Sequence, residues 1–257
     1  MPIYNTKLSI LILTYNEERY IGELLENIKF ADEIIVLDSY STDKTVEIVK
    51  SFPYVSLIQN KFKNYADQRN FAITHSKNDW VLFLDADERL SPNLKIEIIE
   101  LLKIAPTAAA YSMPRIFMFK KKAMRFTGTQ SDMVLRLFDK TKCKYQIDKL
   151  VHEKLEINGK ESALKNKMIH YTYYDYNVFK KKVASYGRLK AEEKNLKRKK
   201  YSIFMHFFHP IFTFISYYIL KLGFLDGYQG IVLSYLFSYS VYVRYSELKK
   251  IQLQNKE

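Results

Sequence analysis

Apolar and polar positions along the first hundred residues specify a repeating strand–helix unit. Leu8–Leu13 is a continuous apolar run, as in a strand covered on both faces. Over Glu17–Phe30 the period changes: Ile21, Leu24, Leu25 and Ile28 fall at i, i+3, i+4 and i+7 with acids between them, which predicts an amphipathic helix. Glu33–Leu37 is a second buried strand. Ser41 and Thr42 stand where they can cap a helix running to about Phe52, with Asp43 at the positive end of its dipole. Val55–Gln59, Asp67–His75 and Trp80–Leu84 then read as strand, short helix and strand, and Pro92 opens a helix to about Ile104. This order predicts an α/β fold, Rossmann-like and doubly wound around a mostly parallel sheet.

After Ala105 the pattern turns β-rich. Ala109–Phe119, Met133–Phe138 and Leu155–Ile157 are expected to extend the same sheet. From Val178 to Tyr201 a helical stretch carries Lys180, Lys181, Lys182, Lys197, Arg198, Lys199 and Lys200. Two apolar, aromatic stretches follow, Ile203–Leu220 and Ile231–Val243. The division predicted is an α/β domain over residues 1–175 and a basic, aromatic helical region over 176–257. A membrane span needs about 20 mostly apolar residues. The first stretch holds His206, His209 and Pro210, and the second is shorter, so interfacial helices flanked by Lys, Arg and Tyr are expected. A soluble helical subdomain, an oligomer interface and a hairpin span are the other readings.

Charge sharpens this picture. The net charge of +13 is unevenly distributed: residues 1–100 hold 11 Lys/Arg against 16 Asp/Glu, and the remainder 30 against 12. An acidic front is a poor face for nucleic acid, whereas a basic, aromatic rear suits a phosphate-bearing surface such as anionic lipid; a solvated lysine face is the plainer alternative. The single cysteine, Cys143, excludes an intrachain disulfide framework, and no secretory signal precedes the first strand, so a cytosol-facing protein is expected.

Candidate chemistry gathers at strand ends. Asp85-Ala86-Asp87 closes a buried strand, at the edge where open α/β sheets hold ligands. Two carboxylates one residue apart can bind a hard divalent cation that bridges a diphosphate, although the bare pattern also suits a solvated loop. Asp38 ends another strand, and Thr14-Tyr15-Asn16-Glu17 ends the first. Thr14 and Asn16 can meet a base or ribose, and Asp38 can accept from a ribose hydroxyl or base imide; Asn16 can equally be a helix N-cap. His170 begins the aromatic series Tyr171, Tyr173, Tyr174 and Tyr176, suited to an acceptor cleft; the histidine itself is open between ligand contact and ordinary packing.

Four blocks, Leu8–Glu18, Glu33–Thr45, Ala66–Ala72 and Trp80–Leu90, resemble family 2 glycosyltransferases of the GT-A fold, in that family's order. Val151-His152-Glu153 and Gly223-Phe224-Leu225-Asp226-Gly227 resemble the subgroup that includes lipopolysaccharide inner-core β-1,4-glucosyltransferases. The resemblance implies that Thr14, Tyr15, Asn16, Glu17 and Asp38 hold the nucleoside. It further implies that Gln68, Arg69 and Asn70 approach the diphosphate or sugar, with Asp85 and Ala86 also touching the nucleotide sugar. Asp85 and Asp87 would bind Mg²⁺ or Mn²⁺, and Glu153 would take the acceptor's proton, a role a structural salt bridge would imitate. Where related sequences have glycine, Tyr40 stands.

The expected activity is therefore inverting transfer of a sugar, glucose from UDP-glucose by resemblance, to a lipid-linked glycan such as a lipopolysaccharide or lipooligosaccharide core. The expected location is peripheral, on the cytoplasmic face of a bacterial inner membrane. Two alternatives are weighed: a non-catalytic basic membrane-binding adaptor, and a sugar-phosphate nucleotidyltransferase. The latter needs a glycine-rich loop after the first strand, and Leu13–Glu17 has no glycine.

Overall fold

The computed structural model describes residues 6–120, 122–128, 132–146, 155–173 and 176–254. These divide into two compact units, one of residues 1–115 and 132–170, the other of 116–131 and 171–257.

The first unit opens with β1 (Leu8–Thr14), α1 (Ile21–Ile28), β2 (Glu33–Asp38), α2 (Thr45–Lys50), β3 (Val55–Gln59), α3 (Tyr65–His75) and β4 (Trp80–Asp85). After β5 (Glu88–Leu90) and α4 (Pro92–Lys103) come β6 (Ala110–Phe119), which runs on into the second unit, and β7 (Lys122–Met124) within that unit. β8 (Met133–Asp139), β9 (Cys143–Tyr145), β10 (Leu155–Ile157), β11 (Glu161–Ala163) and β12 (Met168–Tyr173) complete the strands. The main sheet runs β3-β2-β1-β4-β8-β6-β12-β5. Its first four strands are parallel, and β8 enters antiparallel to β4.

The continuous apolar runs follow from a core on each sheet face. Ile10, Ile12, Val36 and Leu82 pack with α1 and α4 on one side, and Leu11, Leu37, Val81 and Phe83 with α3 and β9 on the other. The α1 stripe of Ile21, Leu24, Leu25 and Ile28 is fully buried, each side chain contributing about 2 kcal/mol. Parallel register puts Thr14 beside Asp38, and Leu13 beside both Leu37 and Asp85, so three strand ends share one edge.

Three local expectations are corrected. Leu155–Ile157 pairs with β9 in a separate two-stranded ribbon rather than extending the main sheet. α2 begins at Thr45 rather than at Ser41–Thr42, because Asp43 Oδ1 accepts from the Thr45 N–H (3.0 Å) while Ser41 is held by Asp38. α3 starts two residues early, at Tyr65, because Asn64 caps it by accepting from the Asp67 N–H (2.8 Å).

In the second unit, α5 (Tyr176–Leu196) and α7 (Tyr228–Gln254) run parallel, while α6 (Ile203–Ile215) runs antiparallel to α7. Gly187 permits the α5–α7 approach, since a Cβ there would lie 2.5 Å from the Ser240 carbonyl oxygen. Between α6 and α7, a π turn (Ser216–Leu220) and a 3₁₀ turn (Gly223–Asp226) form a knuckle. Asp226, 3% exposed, accepts from the Arg125 and Phe126 N–H groups (3.0 Å each) and the Thr127 hydroxyl (2.8 Å). The Gly223–Gly227 segment thus staples residues 125–127 to the helical unit.

Candidate active site

The loops after β1 and β2 interlock through backbone that few side chains favour. Asn16 and Tyr40 are both left-handed, with φ of 55° and 63°. The Asn16 N–H donates to Ser41 Oγ (2.8 Å), the Thr42 N–H to Asn16 Oδ1 (2.7 Å) and the Glu17 N–H to Thr45 Oγ1 (2.8 Å). Asn16 therefore fastens two loops rather than capping α1, whose first turn hangs from the Glu17 carbonyl. Tyr40 keeps the glycine-like conformation with its ring exposed, and Tyr15 is exposed on the partner loop.

Asp38 is fully buried. It accepts from the Ser41 N–H (2.9 Å), the Ser41 hydroxyl and Gln59 Nε2 (2.9 Å), so its carboxylate organises the loop around the crevice. The Thr14 hydroxyl, by contrast, is buried with no hydrogen-bond partner among the described residues. Such a group costs about 1–3 kcal/mol.

α3 contributes unequally. Gln68 donates to Ser39 Oγ (2.9 Å) and accepts from Asn60 Nδ2 (2.6 Å), bracing the segments that follow β2 and β3. Asn70 exchanges hydrogen bonds with the Tyr145 backbone (2.9 and 3.2 Å) and ties α3 to β9. Arg69 reaches the acidic strand end, with Nη2 3.7 Å from Asp85 Oδ1 and its guanidinium over the Phe83 and Tyr145 rings.

At that end a buried ion network forms. Arg136 of β8 bridges Asp85 Oδ2 and Glu88 Oε1 (2.8 Å to the latter). Glu88, fully buried, also accepts from the Asp85 N–H (2.9 Å) and from Arg115 (3.3 Å). Burial pushes the Asp85 carboxyl up, but Arg136 and Arg69 overrule it and hold it at about 2. For Glu88 burial wins and its carboxyl is raised; Arg136 opposes the rise and the Asp85 charge adds to it. Ala86 is buried, its carbonyl accepting from Arg89 Nη1 (2.7 Å). Asp87 faces His170, 3.2 Å from its Nε2, because β12 pairs with β5 in a register that sets His170 opposite Glu88.

Among the described residues no three acid, imidazole or thiolate groups converge into a closed metal cage. The donor set nevertheless fits a hard divalent ion shared with a substrate. Asp85 and Asp87 are partly open, His170 adds a nitrogen beside Asp87, and such ions commonly use one or two carboxylates plus phosphate oxygens and water.

Sequence reasoning passed over Glu88, Arg136 and Arg115. A cation inside the apolar Met133–Phe138 run was the available signal for Arg136, and the acid directly after Asp87 for Glu88. The pairing of His170 with Asp87 depends on a strand register that no local pattern encodes. Glu153, with His152, lies outside the described residues, as does Tyr174.

Parallel strands whose ends bring Thr14, Asp38 and the Asp85–Asp87 pair to one edge form the α/β architecture of the GT-A class. Residues 9–154 match the model of glycosyl transferase family 2, and the chain belongs to that family. It is 28% identical to an uncharacterized glycosyltransferase of Rickettsia typhi over 261 residues, covering 97% of this chain and 89% of the relative. It is 26% identical to the lipopolysaccharide core biosynthesis glycosyltransferase LpsC of Rhizobium meliloti over 254 residues, 93% of each. The solved mannosyltransferase PcManGT of Pyrobaculum calidifontis, in complex with GDP-Man and Mn²⁺, shares the fold at a TM-score of 0.52. That match has 16% identity and covers 100% of this chain and 89% of that one. Family membership sets aside the nucleotidyltransferase and adaptor readings.

Proposed function

We propose that this glycosyltransferase transfers a sugar, glucose from UDP-glucose, with inversion to a lipid-linked glycan of the lipopolysaccharide core type, working at the cytoplasmic face of a bacterial inner membrane. The observation that supports the donor half is the parallel register that sets the Thr14 and Asp38 strand ends alongside the Asp85–Asp87 end on adjacent strands. The acceptor half is supported by the likeness to LpsC along nearly the full length of both chains.

In this reading the β1 and β2 loops hold the nucleoside, with Tyr15 and Tyr40 at the rim. Asp85 and Asp87, with His170 beside Asp87, hold Mg²⁺ or Mn²⁺. Such an ion, held there, would supply charge that offsets the negative charge growing on the leaving diphosphate. Arg69 and Arg136 add fixed cations at the same place and keep the Asp85 carboxylate ionised. The acceptor hydroxyl oxygen bonds to the anomeric carbon as the bond to the nucleotide diphosphate breaks. Glu153 takes the hydroxyl's proton, so the nucleotide leaves with the bonding pair.

A panel of UDP-, GDP- and dTDP-sugars with Mg²⁺ or Mn²⁺ and extracted lipid acceptors tests the reading. Metal-dependent turnover of one donor, lost in Asp87→Ala and Glu153→Gln, is expected. Turnover of no nucleotide sugar by the wild-type protein would reject it.

A further inference from the structure

The second unit displays a surface that neither sugar transfer nor packing explains. Along α6 and its π-turn extension, Phe204, Phe207, Phe208, Ile211, Ile215 and Ile219 are 41–63% exposed. From residue 204 their spacing of three, four, seven, eleven and fifteen places them on one helical face. The stretch Ile203–Leu220 contains no Asp, Glu, Lys or Arg, and soluble monomers rarely display so continuous an apolar patch.

The opposite face is occupied. His206, 7% exposed, lies 3.0 Å from the Tyr201 hydroxyl through Nδ1 and 3.1 Å from Ser246 Oγ through Nε2. His209 Nδ1 lies 2.8 Å from the Tyr245 hydroxyl, and Ser238 donates to the Pro210 carbonyl (2.7 Å). Burial, with help from nearby lysines, lowers the pKa of both histidines and favours the neutral imidazoles that this polar seam uses.

Charge identifies what covers the outer face. Exposed Lys197, Arg198, Lys199 and Lys200 immediately precede the helix, and Lys221 follows it. Two copies packed through this face would bring those cations together, whereas an anionic lipid surface pairs apolar depth with headgroup charge. Resting on the acceptor reading above, we propose that α6 lies in the plane of an anionic bilayer. Its phenylalanine–isoleucine face is buried among acyl chains, and Lys197–Lys200 sit on the headgroups. The stretch is about 27 Å long at helical rise, close to the hydrocarbon thickness of about 30 Å. Its histidine–serine–tyrosine seam to α7 fastens it lengthwise to a helix that packs in turn along the basic α5, where Lys194 donates to Tyr245 and Ser240 to the Val183 carbonyl, and this layering holds it in the plane rather than across the membrane.

Full-length protein is sedimented with vesicles of phosphatidylcholine alone and with a one-third phosphatidylglycerol content, in parallel with donor hydrolysis in solution. Expected is binding to the anionic vesicles and extraction by high salt at alkaline pH. Phe204→Ser/Phe208→Ser/Ile211→Ser should weaken binding at least about tenfold, and each charge removed in Lys199→Gln/Lys200→Gln about fivefold. All these side chains are exposed, so folding and donor hydrolysis should be unchanged. Phe204→Trp should blue-shift its emission on anionic vesicles, with buried Trp80 a constant background. Donor turnover without vesicle binding overturns the lipid surface alone. A dimer in solution that the triple substitution dissociates, again without vesicle binding, assigns the face to a second copy. Resistance to alkaline extraction overturns the in-plane placement. Lack of donor turnover in wild type tells against the transferase reading and leaves the vesicle result to stand by itself.

Discussion

Removing the Arg136 guanidinium would leave Glu88 buried with a weaker counter-charge from Arg115. Breaking such a pair costs about 3–5 kcal/mol, so Arg136→Met should unfold at markedly lower denaturant, and Glu88→Gln in the same chain should restore part of the loss. Additive effects in that double-mutant cycle would contradict the coupling. Asp85 titrates against the same cation. Its folded value of about 2 lies below the ordinary carboxylate value of about 3.9. Its stabilisation is therefore complete above about pH 4 and is lost as pH falls towards 2. Glu88 acts in the opposite sense, because its raised value makes its contribution largest at low pH and lost as pH climbs through its folded value. Denaturation of wild type and Asp85→Asn should consequently converge between pH 4 and pH 2. Tyr40 concerns backbone instead: a left-handed tyrosine costs about 1–2 kcal/mol. Tyr40→Gly should raise the melting temperature by about 2–4 °C per kcal/mol recovered and weaken nucleotide binding by calorimetry. An unchanged melting temperature would show that the loop does not carry the strain.

Helix pairs in the second unit depend on absent side chains. In α5, Gly187→Ala gains about 1 kcal/mol of helix propensity. The new Cβ meets Ser240 backbone oxygen at 2.5 Å and Val243 at 3.2 Å, and forcing the helices apart costs about 1–3 kcal/mol. Net destabilisation by thermal unfolding is expected, with unit-one chemistry unaffected. The same logic separates what was legible from what was not. β1, β2 and β4 were legible because strands buried on both faces must be continuously apolar, and α1 because one buried stripe forces a 3.6-residue period. The knuckle at Gly223–Gly227 was visible as a motif. Its work, Asp226 holding residues 125–127 a hundred positions away, was not, since nothing local to either segment records the other. Asp38 and Gln68 were legible as polar residues at a ligand edge, while the bond of Asp38 to Gln59 emerges only from the β2–β3 pairing and those of Gln68 to Ser39 and Asn60 only when α3 folds against those strand ends.

Across the whole chain, acidic and basic residues are segregated, since residues 1–100 carry a net negative charge and residues 171–257 hold 15 Lys/Arg against 6 Asp/Glu. In the proposed reading an acidic edge would bind a nucleotide diphosphate only with cations supplied, and Arg69 and Arg136 stand there at short range, where salt screens weakly. The lysines before α6 act through exposed, long-range attraction, which a Debye length of about 10 Å at 0.1 M and about 3 Å at 1 M cuts back steeply. Ionic strength should therefore separate the two functions. Between about 50 and 500 mM salt, the apparent KM for an acceptor embedded in anionic vesicles is expected to rise roughly tenfold, with donor hydrolysis in solution nearly constant. An equal decline in both rates would place the salt-sensitive contact at the acidic strand end and remove the electrostatic argument for the α6 surface. A rise confined to the vesicle acceptor, abolished by Lys199→Gln/Lys200→Gln, would tie delivery of the acceptor to the basic helical unit.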